Sequence, residues 1–266
     1  MARYLRLFLA FARFGLAGEL AFRANFLVKL LVELLWLGIL LVFYDLLFTQ
    51  TREIATWDRN QYLFFVGCHY ALGGFIEAFF LESCTGFAEL VRSGDLDHFL
   101  LKPIDEQFLI TCRTVDWSTL PNILQGVLVM TYALWMLGWP AGLGQAAAFL
   151  VLFGCGAAMA YSFLLMLCSL SVYMVRNQSL LEMWWLFTTL MRYPREIYTG
   201  PWASPVGFFF TYIVPVLLVV YVPAGVMVRV LEPHLVAVCL VAAVALLVLS
   251  RLVFRQALRS YRSASS

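Results

Sequence analysis

About 20 consecutive apolar residues make an α-helix long enough to cross a hydrocarbon core of about 30 Å. This chain of 266 residues holds several such runs. Residues 26–48, 62–84, 119–137 and 146–174 each meet the criterion, and 235–254 is a fifth. The stretch 179–230 is apolar enough for one span or two, but Pro194, Pro201, Pro205, Pro215 and Pro223 interrupt it. With 63% hydrophobic and 13% charged residues, the chain carries about half the charge of an average soluble domain. That excludes a water-soluble globule, a disordered chain and a nucleic-acid binder.

The few polar residues exclude other classes. Lys29 and Lys102 are the only lysines, and neither follows a glycine-rich turn. No phosphate-cradling loop of the GxxxxGK[ST] type is present, so any ATP used is hydrolysed by another chain. The six cysteines are scattered without a CxxC pair and read as buried thiols.

Residues 1–24 carry Arg3, Arg6, Arg13, Glu19 and Arg23, which break any signal-peptide core. Arg3, Arg6 and Arg13 share one sector of a helix, and Leu5, Phe8, Leu9, Ala12 and Leu16 occupy much of the rest. This is an amphipathic helix for the membrane surface or for packing on protein. Positive charge also gathers in the loop after the second run (Arg92, Lys102, Arg113) and in the tail (Arg251, Arg255, Arg259, Arg262). By the positive-inside rule both termini are cytoplasmic and the number of spans is even. Six spans fit in two ways. In one, 179–193 is the fifth span and 194–230 re-enters the outer leaflet as a broken helical hairpin. In the other, 206–228 is the fifth span.

The most informative segment is the cytoplasmic loop 85–118. Ser93, Gly94 and Asp95 form a turn and cap signal, and Leu96, Phe99 and Leu100 follow at i, i+3, i+4. Pro103 stops this short helix and Asp105 can cap the next. So short a helix is marginal alone, and docking its apolar face in a partner's groove accounts for it; packing on the chain's own spans is the alternative.

Charges inside spans cost about 2.5–3.5 kcal/mol each at a helix centre and need a reason. Lys29 and Glu33 stand at i, i+4 and can pair. Glu77 lies about 10 Å inside the second span and is the candidate path-lining acid. His69 lies about 80° from it around the helix and reads as a core or interface residue. Gly154, Gly156, Ala158 and Ala160 allow close helix approach. Trp184, Trp185, Tyr193, Tyr198, Trp202 and 208–210 suit an aromatic belt.

The run Ser-Gly-Asp-Leu-Asp-His-Phe-Leu-Leu-Lys-Pro-Ile-Asp at 93–105 resembles the G-x-L-D-x-x-L-x-K-P signature of ABC-2 type transporter permeases. Tyr193-Pro194-Arg195-Glu196-Ile197-Tyr198, Ile213-Val214-Pro215 and Tyr221-Val222-Pro223-Ala224 resemble the bacterial six-span branch of that family. The resemblance spans nearly the whole of 1–266 as one all-α transmembrane domain. It implies six transmembrane helices, an N-terminal interface helix (1–24), and a coupling helix at 95–101 inserting into an ATPase surface. Gly94, Asp95, Leu96, Asp97, Phe99, Leu100, Lys102 and Pro103 would carry that coupling. Region 194–230, with Pro194, Pro215 and Pro223, would be re-entrant, which favours the first topology.

Its implied partners are two ATPase subunits, which hold the ATP and Mg, and a second permease chain, identical or homologous, in the bacterial inner membrane. The chain itself would bind no cofactor or metal and catalyse nothing. Two other classes compete: an ATP-independent channel or ion-coupled transporter, and a membrane-embedded enzyme using Glu77, Glu82 and His69. The second lacks any defined catalytic motif.

Overall fold

The computed structural model describes residues 2–138, 142–173, 178–198, 200, 203–229 and 233–261. Pro201, Trp202 and Arg262, named above, and the end of the run 146–174 at residue 174 lie outside the described residues. Apart from one two-residue hairpin, the regular structure is helical.

The N-terminal helix α1 (Ala2–Ala21) ends at Phe22, where the backbone leaves helical geometry, and α2 (Arg23–Gln50) follows. At 1.5 Å per residue α2 is about 42 Å long, yet only its Leu37 and Tyr44 are buried. A tight hairpin, β1 (Glu53–Ile54) and β2 (Trp57–Asp58), reverses the chain through Ala55 and Thr56, both at positive φ. Asp58 then opens α3 (Arg59–Ile76) with a reciprocal capping box to Gln61. A π-helical turn, Glu77–Leu81, runs on into α4 (Glu82–Thr85) and α5 (Phe87–Ser93), making one helical segment of 35 residues.

The loop region contains α6 (Leu96–Leu100) and α7 (Glu106–Thr111). After it come α8 (Leu120–Met136), α9 (Leu143–Leu170) and α10 (Gln178–Met191). A 3₁₀ turn (Arg195–Tyr198), α11 (Ser204–Phe208) and a second π-helical turn (Phe209–Ile213) lead to α12 (Leu218–Val228) and α13 (Pro233–Ser260).

Four helical segments are long and apolar enough to cross a membrane: Arg23–Gln50, Arg59–Ser93, Leu143–Leu170 and Pro233–Ser260. They cover four of the five clear runs of the sequence. The fifth, α8, has 17 residues and reaches about 26 Å. The expected fifth span at 179–193 falls on α10, whose 14 residues reach only about 21 Å. The proline-rich stretch that follows is a helix pair, Ser204–Ile213 and Leu218–Val228, bent by 89°. The break falls at Val214 and Pro215, because a proline has no N–H to continue the ladder. Pro194, Pro215 and Pro223 are all buried, so the break itself and the second helix are shielded by protein, as irregular backbone in a membrane requires. Pro205, Phe208, Tyr212 and Ile213 on the first helix of the pair are exposed.

The core centres on α12, in which every residue but Val226 is buried. It sits among α3, α9 and α13. Gly156 of α9 permits this contact, since a Cβ there would collide with the Val219 backbone. Gly154, from the same small-residue run, meets nothing within 4 Å. A tighter seam joins α3 to α8: a Cβ on Gly126 would run into the Ala71 and Gly67 backbones, at a distance only glycine allows. The aromatic cluster divides. Trp184 is fully buried, with Phe187 stacked between it and Phe163, whereas Trp185, Phe208 and Phe209 are exposed.

α1 packs on protein along one stripe. Tyr4 meets Phe108 edge-on at 5.0 Å, and Phe8 meets Phe79. The Ala12 carbonyl accepts from Trp117 Nε1 at 2.8 Å. Leu5, Leu9 and Phe14 face outward, and Phe14 is 82% exposed.

Candidate functional site

Two regions gather the polar residues of this apolar chain: the loop that follows α5, and a cavity beside the π-helical turn.

In the loop, Gly94 takes a left-handed conformation (φ 81°), which ends α5 without the cost a side chain would bring. Asp95 precedes α6, but its carboxylate accepts from Ser93 Oγ at 2.7 Å rather than capping the helix. Asp105 does cap α7, accepting from the Phe108 amide at 3.1 Å. The same carboxylate pairs with Arg251 of α13, and Arg251 also donates to Gln107 Oε1 at 2.6 Å. Gln107 in turn donates to the Tyr161 hydroxyl of α9 at 2.8 Å, and the Asp105 amide donates to the Tyr4 hydroxyl of α1. The guanidinium of Arg251, hydrogen-bonded to Asp105, holds the Asp105 carboxyl below its ordinary pKa against the opposing effect of partial burial.

The amphipathic face of α6 points elsewhere than the sequence suggests. Leu96 is fully buried in the chain's own core, and Phe99 and Leu100 pack against it. Phe99 also lies beneath two cations, with Lys102 Nζ at 4.6 Å and the Arg113 guanidinium at 5.7 Å from its centroid. What faces outward is Asp95, His98, Leu101, Lys102 and Pro103. Leu101 is 83% exposed. An i, i+3, i+4 pattern defines an apolar face but not whose groove it fills, so Leu96 and Phe99 anchor the helix and Leu101 stands free of the core. Asp97 is half-buried beside this anchor.

The loop reaches the span through the segment after α7. The Asp116 amide donates to the Ala78 carbonyl at 2.9 Å, and Ser83 Oγ accepts from the Thr114 amide at 2.9 Å. A donor inserted into the helical ladder at Ala78 accounts for the π-helical turn that begins at Glu77.

Beside that turn is a cavity of about 270 Å³. Its walls are Glu33 and Trp36 of α2; His69, Tyr70, Gly73 and Gly74 of α3; Glu77; Asn122 of α8; and Trp185, Thr188, Thr189, Met191 and Arg192 at the end of α10. Asn122 is 6% exposed and its Oδ1 has no partner; His69 Nδ1 and Arg192 Nε are likewise unpartnered. His69 therefore shares a cavity with Glu77 although the two lie about 80° apart around the helix.

Lys29 does not pair with Glu33 as the i, i+4 spacing predicts. It pairs with Glu19 at 3.5 Å and donates to Ser118 Oγ at 3.1 Å. The break at Phe22 separates α1 from α2 and leaves Glu19 within reach of Lys29, while Glu33 lines the cavity.

Sequence reasoning missed one further cluster. Glu196 accepts from the Tyr221 hydroxyl at 2.8 Å, from Arg229 at 3.0 Å and from Trp57 Nε1 at 3.3 Å. Arg229 also lies 4.7 Å over the Trp57 ring and donates to Thr56 Oγ1. The hairpin, the 3₁₀ turn and the end of α12 are thus joined. An acid inside an aromatic and proline-rich run was the available signal. Among the described residues no group of three His, Cys, Asp or Glu is placed to hold a metal ion.

Four long apolar helices and a broken apolar helix pair define a multi-pass membrane protein. The chain belongs to the ABC-2 transporter family: the model for the ABC-2 family transporter protein matches residues 34–265. No curated protein and no solved structure gives a significant match to the chain.

Proposed function

We propose that the chain is the membrane subunit of an ATP-driven exporter, forming half of a translocation path and taking its power stroke from separate ATPase subunits. The observation that carries this reading is α6, a five-residue helix anchored inward by Leu96 with Leu101 presented outward. A helix so short is not stable by itself. The next helix, α7, is tied to α1, α9 and α13 through Asp105 and Gln107, and with Leu96 buried against this backing α6 becomes a rigid projection fit to be pushed. The bond from Asp116 to Ala78 gives the push a route to the π-helical turn and to Glu77, which lines the path.

In this reading two ATPase copies hold the ATP and Mg, and the outward residues Asp95, His98, Leu101, Lys102 and Pro103 meet them. A second permease chain, identical or homologous, completes the path against the apolar outer face of α2. Both termini lie on the cytoplasmic side of a bacterial inner membrane, α1 is the interface helix, and the broken pair around Pro215 re-enters from outside and closes the outer end.

The test is affinity purification of the tagged chain in mild detergent, with mass spectrometry of what accompanies it. Recovery of a P-loop ATPase supports the reading, and Leu101→Asp abolishes that recovery while the chain stays folded. Recovery of the intact chain alone, or equal ATPase recovery with Leu101→Asp, overturns it.

A further inference from the structure

The reading of the cavity as part of a translocation path leaves open what passes through it, and the layout of charge in the cavity narrows the answer. Arg192 stands at one end, within electrostatic reach of His69 and Tyr44. Glu77 stands at the other, with Glu33 within electrostatic reach of it. His69 and Glu77 are eight residues apart on α3 and its π-helical continuation, about 12 Å along the axis. Tyr70 lies between and feels all three charged groups. None of Glu33, Glu77 and Arg192 forms an ion pair among the described residues. Opposite charges thus share one open cavity between the helices and are kept apart, although a charge without a counterion is costly among apolar helices.

A second, larger space adjoins it. A mostly apolar groove of about 500 Å³ runs between α2, α3 and α8, lined by Leu41, Phe48, Leu63, Leu128 and Val129, with the Asp45–Arg59 ion pair, already closed on itself, on the same wall. Tyr44 lines this groove, and through it the groove meets the Arg192 end of the polar cavity.

We propose that the cavity receives the headgroup of a single-chain zwitterionic amphiphile, with its alkyl chain in the groove. A ligand carrying both signs supplies a counterion to each end of the chamber at once. A simple cation leaves Arg192 unpaired, and a simple anion leaves both acids unpaired. Trp36 and Trp185 offer aromatic faces that suit a quaternary ammonium. The buried Oδ1 of Asn122, which has no partner, accepts a donor from the ligand or from a water bound with it. The cavity, about 270 Å³, is of headgroup size, and the groove of about 500 Å³ takes the alkyl chain.

The experiment uses the purified full-length chain in maltoside micelles and tryptophan fluorescence titration. Three probes share a six-carbon tail: hexylphosphocholine, hexyltrimethylammonium and hexyl sulfate. A fourth, glycerophosphocholine, has the zwitterion without the tail. The expected result is binding of hexylphosphocholine at least about tenfold tighter than either singly charged probe, and about tenfold tighter than the tail-less one. Arg192→Gln then abolishes the preference over hexyltrimethylammonium, Glu77→Gln abolishes the preference over hexyl sulfate, and Arg192→Lys keeps the original order. Equal binding of the three tailed probes, tighter binding of a singly charged one, or an unchanged order in folded Arg192→Gln overturns the proposal. If Arg192→Gln does not fold, the wild-type series and Arg192→Lys decide. No ATPase is present in the titration, so its failure leaves the permease reading standing, to be judged by the affinity purification.

Discussion

Glu196 is the acceptor on which three separate pieces of the chain converge, so its removal is the most informative single change to the fold. Glu196→Ala strands the Tyr221 hydroxyl and the Trp57 indole N–H, whose residues are 7% and 0% exposed. Each buried donor left unsatisfied costs about 1–3 kcal/mol. The pair with Arg229 has side chains 23% and 24% exposed and is discounted for solvent to about 1 kcal/mol. Together the loss is about 5 kcal/mol, a drop of about 10–20 °C in the unfolding midpoint of a chain of this size. Tyr221 and Arg229 donate to Oε1 and Trp57 to Oε2. Glu196→Gln can therefore keep its one carbonyl oxygen for Tyr221 and Arg229 but turns an NH2 toward the Trp57 N–H and gives up the charge, a loss of about 3 kcal/mol. The assay is thermal unfolding in a fixed detergent, followed by Trp57-sensitive fluorescence. A midpoint for Glu196→Ala within about 2 °C of wild type refutes the reasoning. So does a Glu196→Gln midpoint as low as that of Glu196→Ala, since the geometry then does not depend on acceptance by residue 196.

Asp105→Asn removes the clamp to Arg251 and lowers stability at neutral pH. The Asp105 carboxyl titrates below its ordinary value in the folded chain, so its contribution is present above the unfolded pKa of about 3.9 and lost as pH falls through the folded one. The wild-type advantage over Asp105→Asn, read from unfolding midpoints, therefore shrinks below about pH 4 and not above it. Gly126→Val forces α8 off α3 and costs more than about 3 kcal/mol, visible as loss of folded protein in size-exclusion chromatography. Lys29→Gln breaks a pair in which Lys29 is 43% exposed and costs less than about 1 kcal/mol; a large drop in midpoint would show that Lys29 holds more than the junction of α1 and α2.

Much of the fold is legible in hydropathy alone, because a membrane accepts few backbone solutions. The apolar runs at 26–48 and 235–254 become α2 and α13 with ends displaced by only a few residues. Local chemistry is equally readable: Gly94 takes the left-handed turn, Asp105 caps α7 and Pro215 marks the break. What depends on distant partners is not readable. Glu196 meets Trp57 across 139 positions and Arg229 across 33. Lys29 has an i, i+4 acid on its own helix, yet the break at Phe22 offers a different one. Leu96 and Leu101 look alike in sequence, and only the packing of α5 and α7 around α6 decides which is buried. The polar cavity was half visible, in Glu77 and His69. Arg192 and Asn122 join it from helices whose approach no local pattern announces.

The clamp at Asp105 has a consequence for how the chain is made. Arg251 lies 146 positions after Asp105, and Tyr4 lies 101 positions before it. During synthesis the loop emerges beside α1 long before α13 exists, and its carboxylate waits for a guanidinium made 146 residues later. The outward face of α6 gains its full backing only when the last helix docks. A chain cut short before residue 251 would lack that support, so firm presentation of the loop doubles as a readout that α13 has been made and has docked.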